Sequence, residues 1–407
     1  MRHGARGFPR GAPHSSAQRG DPPAQRGDPP ARRGHSPAQR RLREHHAAAR
    51  RARQRRLFLG TCAALSGLVM LLSGTVWSLA SYINGSIERI AAGTAGGGSS
   101  GPLNVLVAGV DLRTGLTRGQ VRALHVGHAV SANSDTLMLV HISADRSRVT
   151  VVSFPRDSWV DIPGHGMNKI NSAFGFGGPK LMVATVEHDT GLTINHYIEV
   201  NFLGFVRVID ALGGVNICLP QTVRDPYSGL RLAAGVHHVN GITALKYARD
   251  RHSFPMSDLA RIDHQQSLLS SLLRETISSH TLTNPVRLSQ VLRAGLSTVE
   301  VDKNLNVTSL ADQLHGISLQ RVQFLTVPLA TTNYLTKTGE SAVLWKAAAA
   351  RQLFAKLKAD LPLSAPAPGQ TRRSHKGSHH PGARPAPSGG GGGLTNGART
   401  AAQDACK

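Results

Sequence analysis

Cysteine, aromatic and acidic side chains are all scarce in this 407-residue chain. Its three cysteines, Cys62, Cys218 and Cys406, sit in unlike settings: an apolar run, a strand flank and the extreme C-terminus. No two make a convincing pair, so the expectation is a fold that does not rely on a disulfide. Aromatic residues are only 4% of the chain. They do not interleave with the arginines of the N-terminal arm, which argues against nucleic acid as partner, because single-strand binders stack bases on aromatic rings. Acidic residues number 24 against 47 Lys and Arg, a formal net charge of +23. Residues 1–56 hold 15 Arg and 3 acids, so 15 − 3 = +12 of that excess lies in the arm.

Charge is missing altogether from Leu57 to Ile87. The run exceeds the ~20 apolar residues that cross a bilayer. Five arginines (50, 51, 53, 55 and 56) precede it and no basic cluster follows at once, which puts the N-terminus in the cytoplasm. A cleaved signal peptide is the competing reading, but its apolar region is normally ~7–15 residues. The expected organisation is a disordered basic arm over 1–56, a transmembrane anchor over 57–83, a flexible linker over 84–101, one extracellular domain over 102–362 and a disordered tail over 363–407. The arm repeats with period seven over 17–37 (AQRGDPP, AQRGDPP, ARRGHSP), and the tail turns to Pro, Gly, Ser, His and Arg.

Within the domain, LNVLVAGV (103–110) is an apolar run of strand length, and TLMLVHIS (136–143) with RVTVVSFP (148–155) reads as a hairpin. Strands TINHYIEV, VNICLP and RVQFLTVP, helices over 178–190, 242–249, 257–279, 284–297, 304–317 and 341–361, and the helix NFLGFVRVIDALGG (201–214) closed by its two glycines complete the pattern. Mixed strands and helices without strict alternation imply an α/β or α+β sandwich.

Charged residues cluster where apolar runs end: Asp111 and Arg113, Asp135, Arg156 and Asp157, Lys169, Arg249 and Arg251, Asp258 and Arg261. In an antiparallel hairpin the start of 136–143 and the end of 148–155 lie together, so Asp135 and Arg156 are expected to be neighbours. Carboxylates hold hard cations and arginines grip phosphate oxygens, a combination suited to a metal-bound pyrophosphate. His252 and His264 suit such a site less, since Mg²⁺ prefers oxygen. Asn171 has a turn residue as its plain reading. Phe174, Phe176, Phe202 and Phe205 are candidates either for the core or for a cavity wall.

The segments NVLVAGVDLR, SDTLMLVHI, VTVVSFPRDSWVDIPG, NKINSAFGFGG, HYIEVNFLGFVRVIDALGGVNICLP, ALKYARDRH and DLARIDHQQ, in this order over about 103–280, resemble the LytR-CpsA-Psr (LCP) family of Gram-positive cell envelopes. The resemblance implies a mixed central sheet flanked by helices in an α/β/α sandwich, with an apolar cavity for a lipid tail and one transmembrane helix before it. It implies a phosphotransferase that moves a glycopolymer from a polyprenyl-pyrophosphate carrier to peptidoglycan, forming a phosphodiester. By the same resemblance Asp111 and Asp135 hold Mg²⁺ (or Mn²⁺), and Arg156, Arg249, Arg251 and Arg261 clamp the pyrophosphate with Lys169 beside them. Arg156, Arg249 and Asp258 are the catalytic candidates, Asp258 as base or further metal contact. The chain departs from the family pattern at Asn133, where Arg is common, and at Val236, where a cysteine partner for Cys218 is expected; the resemblance therefore implies a lost disulfide. A pyrophosphatase acting on the same carrier and a non-enzymatic prenyl-phosphate receptor are the alternatives.

Overall fold

The computed structural model describes residues 37–97, 100–110, 119, 134–250, 253, 257–278, 290–291, 293–295, 299–314, 316–363 and 399–401. Two compact units divide the chain, Met1–Gly74 and Thr75–Lys407. Helix α1 (Pro37–Ser86) starts well ahead of the apolar run, so the arm expected to be disordered over 1–56 is helical from Pro37. Among the described residues no helix is long and apolar enough to cross a membrane. Several side chains of the expected anchor over 57–83 lie outside the description.

The second unit runs β1 (Glu88–Ile90), β2 (Leu103–Val110), β3 (Ser134–Ile142), β4 (Val149–Phe154), β5 (Trp159–Ile162), β6 (Gly166–Lys169), α2 (Ser172–Thr190), β7 (His196–Asn201), α3 (Phe202–Leu212), β8 (Val215–Leu219), β9 (Val223–Asp225), β10 (Leu230–Leu232), β11 (Gly235–Val239), α4 (Gly241–Arg249), α5 (Ser257–Ser278), β12 (Val299–Asp302), α6 (Val307–Gln313), β13 (Val322–Thr326), β14 (Leu329–Leu335), β15 (Ser341–Trp345), α7 (Ala347–Lys358) and β16 (Arg399–Thr400). Eight strands form one mixed sheet in the order β1-β12-β7-β2-β3-β4-β13-β16. β2 runs parallel to β7 and antiparallel to β3, and β4 continues the antiparallel run with Leu137 opposite Phe154.

The centre of the sheet is apolar on both faces, as strands covered on both sides require. Leu106, Ala108, Leu137, Leu139 and Val152 pack against α2 and α7 through Ala173, Met182, Val186, Leu353 and Phe354. On the other face Val105, Met138, Val151 and Phe324 meet Leu269 and Leu273 of α5. Each fully buried Leu or Phe contributes roughly 1.5–3 kcal/mol. A third cluster joins α3, α4 and α5 to β8, β9, β10 and β11 through Ile209, Val215, Leu230, Tyr247 and Leu268. The result is a sheet between helical layers.

Four expectations change. The segment 84–101 is not a loose linker: Ala95 N–H donates to Ile194 O at 3.0 Å, and Arg89 Nη1 donates to the carbonyls of Asp302 and Leu305 at 3.3 and 2.5 Å. Residues 341–361 are not one helix, because Ser341–Trp345 pairs with β14 before α7 begins. The tail is not wholly disordered, since Arg399 and Thr400 add an antiparallel strand to β13. Cys218 is disulfide-bonded, while Cys62 is free and Cys406 lies outside the described residues.

Strand register also aligns Glu88, Glu300 and Glu199 side by side across β1, β12 and β7. Glu199 is buried, and Tyr197 Oη donates to its Oε2 at 3.0 Å. Burial first, then the Glu300 charge, push its carboxyl up to about 7 against the pull of the tyrosine. Between the ordinary carboxylate range and that value the folded chain holds a proton that the unfolded chain has released. Stability therefore falls as pH rises through this window. Urea unfolding at pH 5 and pH 8 should show that loss in the parent and a flatter response in Glu199→Gln. An unchanged slope in the variant would place the proton elsewhere.

Candidate functional site

The site grows from the β3–β4 hairpin. Asp135 sits at the second position of β3, and Arg156 follows the end of β4. Arg156 Nη1 donates to Asp135 Oδ1 at 2.8 Å, the adjacency that the hairpin topology predicts. Behind it, Arg156 Nε lies 3.5 Å from Asp157 Oδ2, and Lys169 Nζ lies 3.7 Å from Asp157 Oδ1. Asp157 thus bridges the two cations and sets where Arg156 points. Asn171 N–H donates to the Arg156 carbonyl at 3.2 Å, tying the same residue to the entry of α2.

Next to this hairpin the helices α3, α4 and α5 stand off the sheet. α3 starts where Asn201 Oδ1 accepts from Gly204 N–H at 2.8 Å, and it closes at Gly213 in the left-handed region, φ 93°. α4 starts the same way, with Asn240 Oδ1 accepting from Thr243 N–H at 3.0 Å. Gly241 lies directly against the Val206 backbone, where any Cβ would collide, so the two helices can cross closely.

Between these helices and the sheet lies a cavity of about 640 Å³. Val107, Met138, Val200, Phe202, Phe205, Leu245, Leu268, Leu269 and Leu272 make its walls, and Asp135, Arg156, Arg249 and Arg261 its charged part. Its size and wall chemistry are those of a ligand site, which is mostly apolar with a few convergent polar groups. Arg249 is half-buried with its guanidinium 5.4 Å from the Phe202 ring centroid, a cation–π contact. Arg261, on the first turns of α5, is only 3% exposed. A cation so deeply buried is costly unless negative charge or acceptors meet it.

The structure therefore gathers Asp135, Arg156, Arg249 and Arg261 about one cavity. Among the described residues Lys169 reaches the group through Asp157. Asp111, Arg113, Arg251 and His252 lie outside the described residues, as does the side chain of Asp258. Phe202 and Phe205 prove to be cavity wall, Phe174 belongs to the core, and Phe176 stacks on His165 at 4.6 Å on the surface. His264 is buried and stacks on Tyr247 at 4.4 Å. Burial pushes its imidazole down to about 4, so it is neutral at physiological pH and adds no charge to the site. Missed in the sequence were Tyr227 and Ser228, which line the cavity from the β9–β10 turn, and Asp225 and Asp250, which are buried beside it. The signal for Asp250 was its place between two arginines.

Asp135 offers hard oxygen of the kind Mg²⁺ prefers. Mg²⁺ keeps several waters and takes only one or two protein carboxylates, so Asp135 with one more carboxylate meets its needs. Among the described residues no group of three His, Cys, Asp or Glu could hold a metal by itself.

Fold and site together define a class: an α/β sandwich enclosing a mostly apolar cavity that three arginines and an aspartate also line. The LytR_cpsA_psr family model matches residues 81–359, and the chain belongs to that family. It is 33% identical over 328 residues to the cell wall biosynthesis protein LcpA of Corynebacterium glutamicum, covering 70% of this chain and 62% of that protein. It is 33% identical over 305 residues to the probable cell wall biosynthesis protein LcpB of the same organism, covering 74% and 71%. Solved structures that share its fold include Bacillus subtilis TagV (TM-score 0.53, 24% identity, 64% of this chain and 98% of that one) and the LytR-Csp2A-Psr enzyme of Actinomyces oris (0.52, 21%, 67% and 96%).

The cavity itself is testable. Leu272→Trp places an indole in its wall and should cut the binding of an apolar fluorescent probe at least fivefold without unfolding the chain. Undiminished binding would show that the probe, and by extension a lipid tail, sits elsewhere.

Proposed function

We propose that this chain is a phosphotransferase that moves a glycopolymer from a polyprenyl-pyrophosphate carrier to peptidoglycan, at the outer face of the membrane that its helix anchors it to. One observation carries this reading: an apolar cavity and three arginines share one site, with Asp135 among them. A prenyl chain matches the wall of Phe202, Phe205, Leu245 and Leu272, and a diphosphate matches Arg156, Arg249 and Arg261. The relatives' names point to cell wall biosynthesis, which suits such a donor and acceptor. The anchor is supported by Leu57, Phe58, Leu59, Met70 and Leu71, exposed by 62–75% along α1.

Phosphoryl transfer needs positioning and positive charge more than covalent work by the protein. Arg156 is fixed by Asp135 and, through Asp157, by Lys169. It meets the diphosphate from the hairpin side, while Arg249 and Arg261 meet it from α4 and α5. Asp111 and Asp135 would hold Mg²⁺, which supplies neutralisation of the diphosphate oxygens. The acceptor sugar hydroxyl attacks the phosphorus that bears the glycopolymer. A new P–O bond forms as the bond to the bridging oxygen breaks, and polyprenyl monophosphate leaves. The hydroxyl proton passes to a carboxylate within reach, Asp258 being the candidate.

Arg249→Ala and Arg156→Ala should each lower transfer by about a hundred- to a thousandfold, the scale of losing one preorganised charge donor. Circular dichroism should stay native, and full activity in both variants would contradict the clamp. Turnover should cease in EDTA and return with Mg²⁺; transfer that ignores chelation would remove Asp111 and Asp135 from their role. Release of polyprenyl monophosphate only when an acceptor glycan is present marks a transferase, and release without one marks a pyrophosphatase.

A further inference from the structure

The sheet face that carries Leu137, Leu139 and Val152 turns polar at the strand ends away from Asp135. Register sets Asn104 of β2, His141 of β3, Thr150 of β4 and Gln323 of β13 side by side in one row. Directly opposed residues share a face, so four polar side chains stand together on it. Asn104, His141 and Thr150 are 8%, 4% and 7% exposed. Buried polar groups are costly unless they are bonded. One half of the row meets that demand. Asn104 Nδ2 donates to Thr193 O at 2.9 Å, and Asn104 Oδ1 accepts from His141 Nδ1 at 2.8 Å. The other half does not. Among the described residues no side-chain hydrogen bond reaches the Thr150 hydroxyl or the Gln323 amide, and both residues line a second cavity of about 310 Å³.

Arg148 and Arg321 bring two cations to this cavity against the single carboxylate of Asp360. Asp360 stands at φ 52°, in the left-handed region, which strains a residue that has a Cβ. Three contacts hold it there. Oδ2 accepts from Ala144 N–H at 2.9 Å, Oδ1 lies 3.3 Å from His141 Nε2, and the carbonyl accepts from Arg148 Nη2 at 3.0 Å. Arg148 is thereby fixed, while Arg321 is exposed and its guanidinium has no partner among the described residues. Such planar forks suit phosphate oxygens. The volume exceeds the needs of one phosphate group and stands at the lower end of small-molecule sites. Thr150 and Gln323 face the remaining space, and they both donate and accept, as sugar hydroxyls do. Leu361 and Pro362 add apolar surface for the C–H face of a sugar ring. We propose that this cavity binds a phosphorylated sugar. It is separate from the site of the proposed transfer, since Asp135 and His141 stand at opposite ends of β3, about 20 Å apart on an extended strand.

Titration calorimetry on the full-length protein compares glucose 1-phosphate with glucose and with inorganic phosphate. The ester should bind at least tenfold more tightly than either part. Arg321→Ala removes an exposed side chain, a change that leaves most folds intact. Thr150→Val keeps the shape of the residue and removes its hydroxyl. Each should weaken the binding of glucose 1-phosphate at least fivefold with melting unchanged. Arg249→Ala, in the other cavity, should leave that binding within twofold of the parent. No binding, or inorganic phosphate bound as tightly as the ester, overturns the inference. So does binding that Arg249→Ala abolishes and Arg321→Ala spares, because the ligand then sits among the other arginines. Two glucose units joined by a phosphodiester tell the source of the ligand, provided that Arg321 and Thr150 are again required. Tighter binding than the monomer identifies a repeat unit of a polymer, and weaker binding a soluble sugar phosphate.

Discussion

Cationic groups out of water need negative charge, and in this fold they stand where an oily space begins. Arg261 is almost wholly buried and Arg156 and Arg249 are half-buried, all on one cavity. Desolvation strengthens whatever electrostatic contact forms there, because the effective dielectric falls far below that of water. Asp135 offsets part of the cost for Arg156, and the Phe202 ring does so more weakly for Arg249. The proposed donor, a diphosphate on a prenyl stem, would combine both features of the site in one molecule. The sheet, its glycine-enabled helix crossing and the capped starts of α3 and α4 serve to hold that juxtaposition.

The parts legible from the sequence were those governed by local pattern or by pairing of neighbours in the chain. Asp135 and Arg156 were placed together because a hairpin fixes which ends meet. β2 and α5 followed from an apolar run and a helical period. Charge placement at the ends of apolar runs marked the remaining arginines and the LCP resemblance gave them a clamp role; of these, Arg249 and Arg261 line the cavity. Where tertiary partners decided the outcome, pattern failed. SAVLW joined the Ala-rich segment after it as a single helix, although pairing with β14 makes it a strand. The glycine-rich stretch before β2 looked like a tether, yet Ala92 is buried and the backbone of Ala95 and Gly96 bonds to that of Ile194 and Asn195.

Buried acids were the least legible feature. Nothing in ERI, HYIEVN or VEVD announces that Glu300 comes to lie between Glu88 and Glu199, since both contacts join strands about a hundred or more residues apart. Asp225 and Asp250 likewise become buried only because β9 and the end of α4 pack on a common cluster. Such groups titrate away from their ordinary range because the fold, not the sequence neighbourhood, sets their solvation. Cys218 belongs with them: its bond could not be inferred from spacing.

The short strand Arg399–Thr400 has a practical corollary for anyone handling the protein. It covers the outer side of β13, with Ala401 fully buried and Arg274 donating to its carbonyl at 2.7 Å. A recombinant chain cut after residue 363, the natural place to trim a Gly-rich extension, would strip that cover. It would leave the backbone donors and acceptors of β13 open to a neighbouring molecule, the usual seed of edge-to-edge association. Shortening the extension internally, with its last residues kept, avoids that hazard.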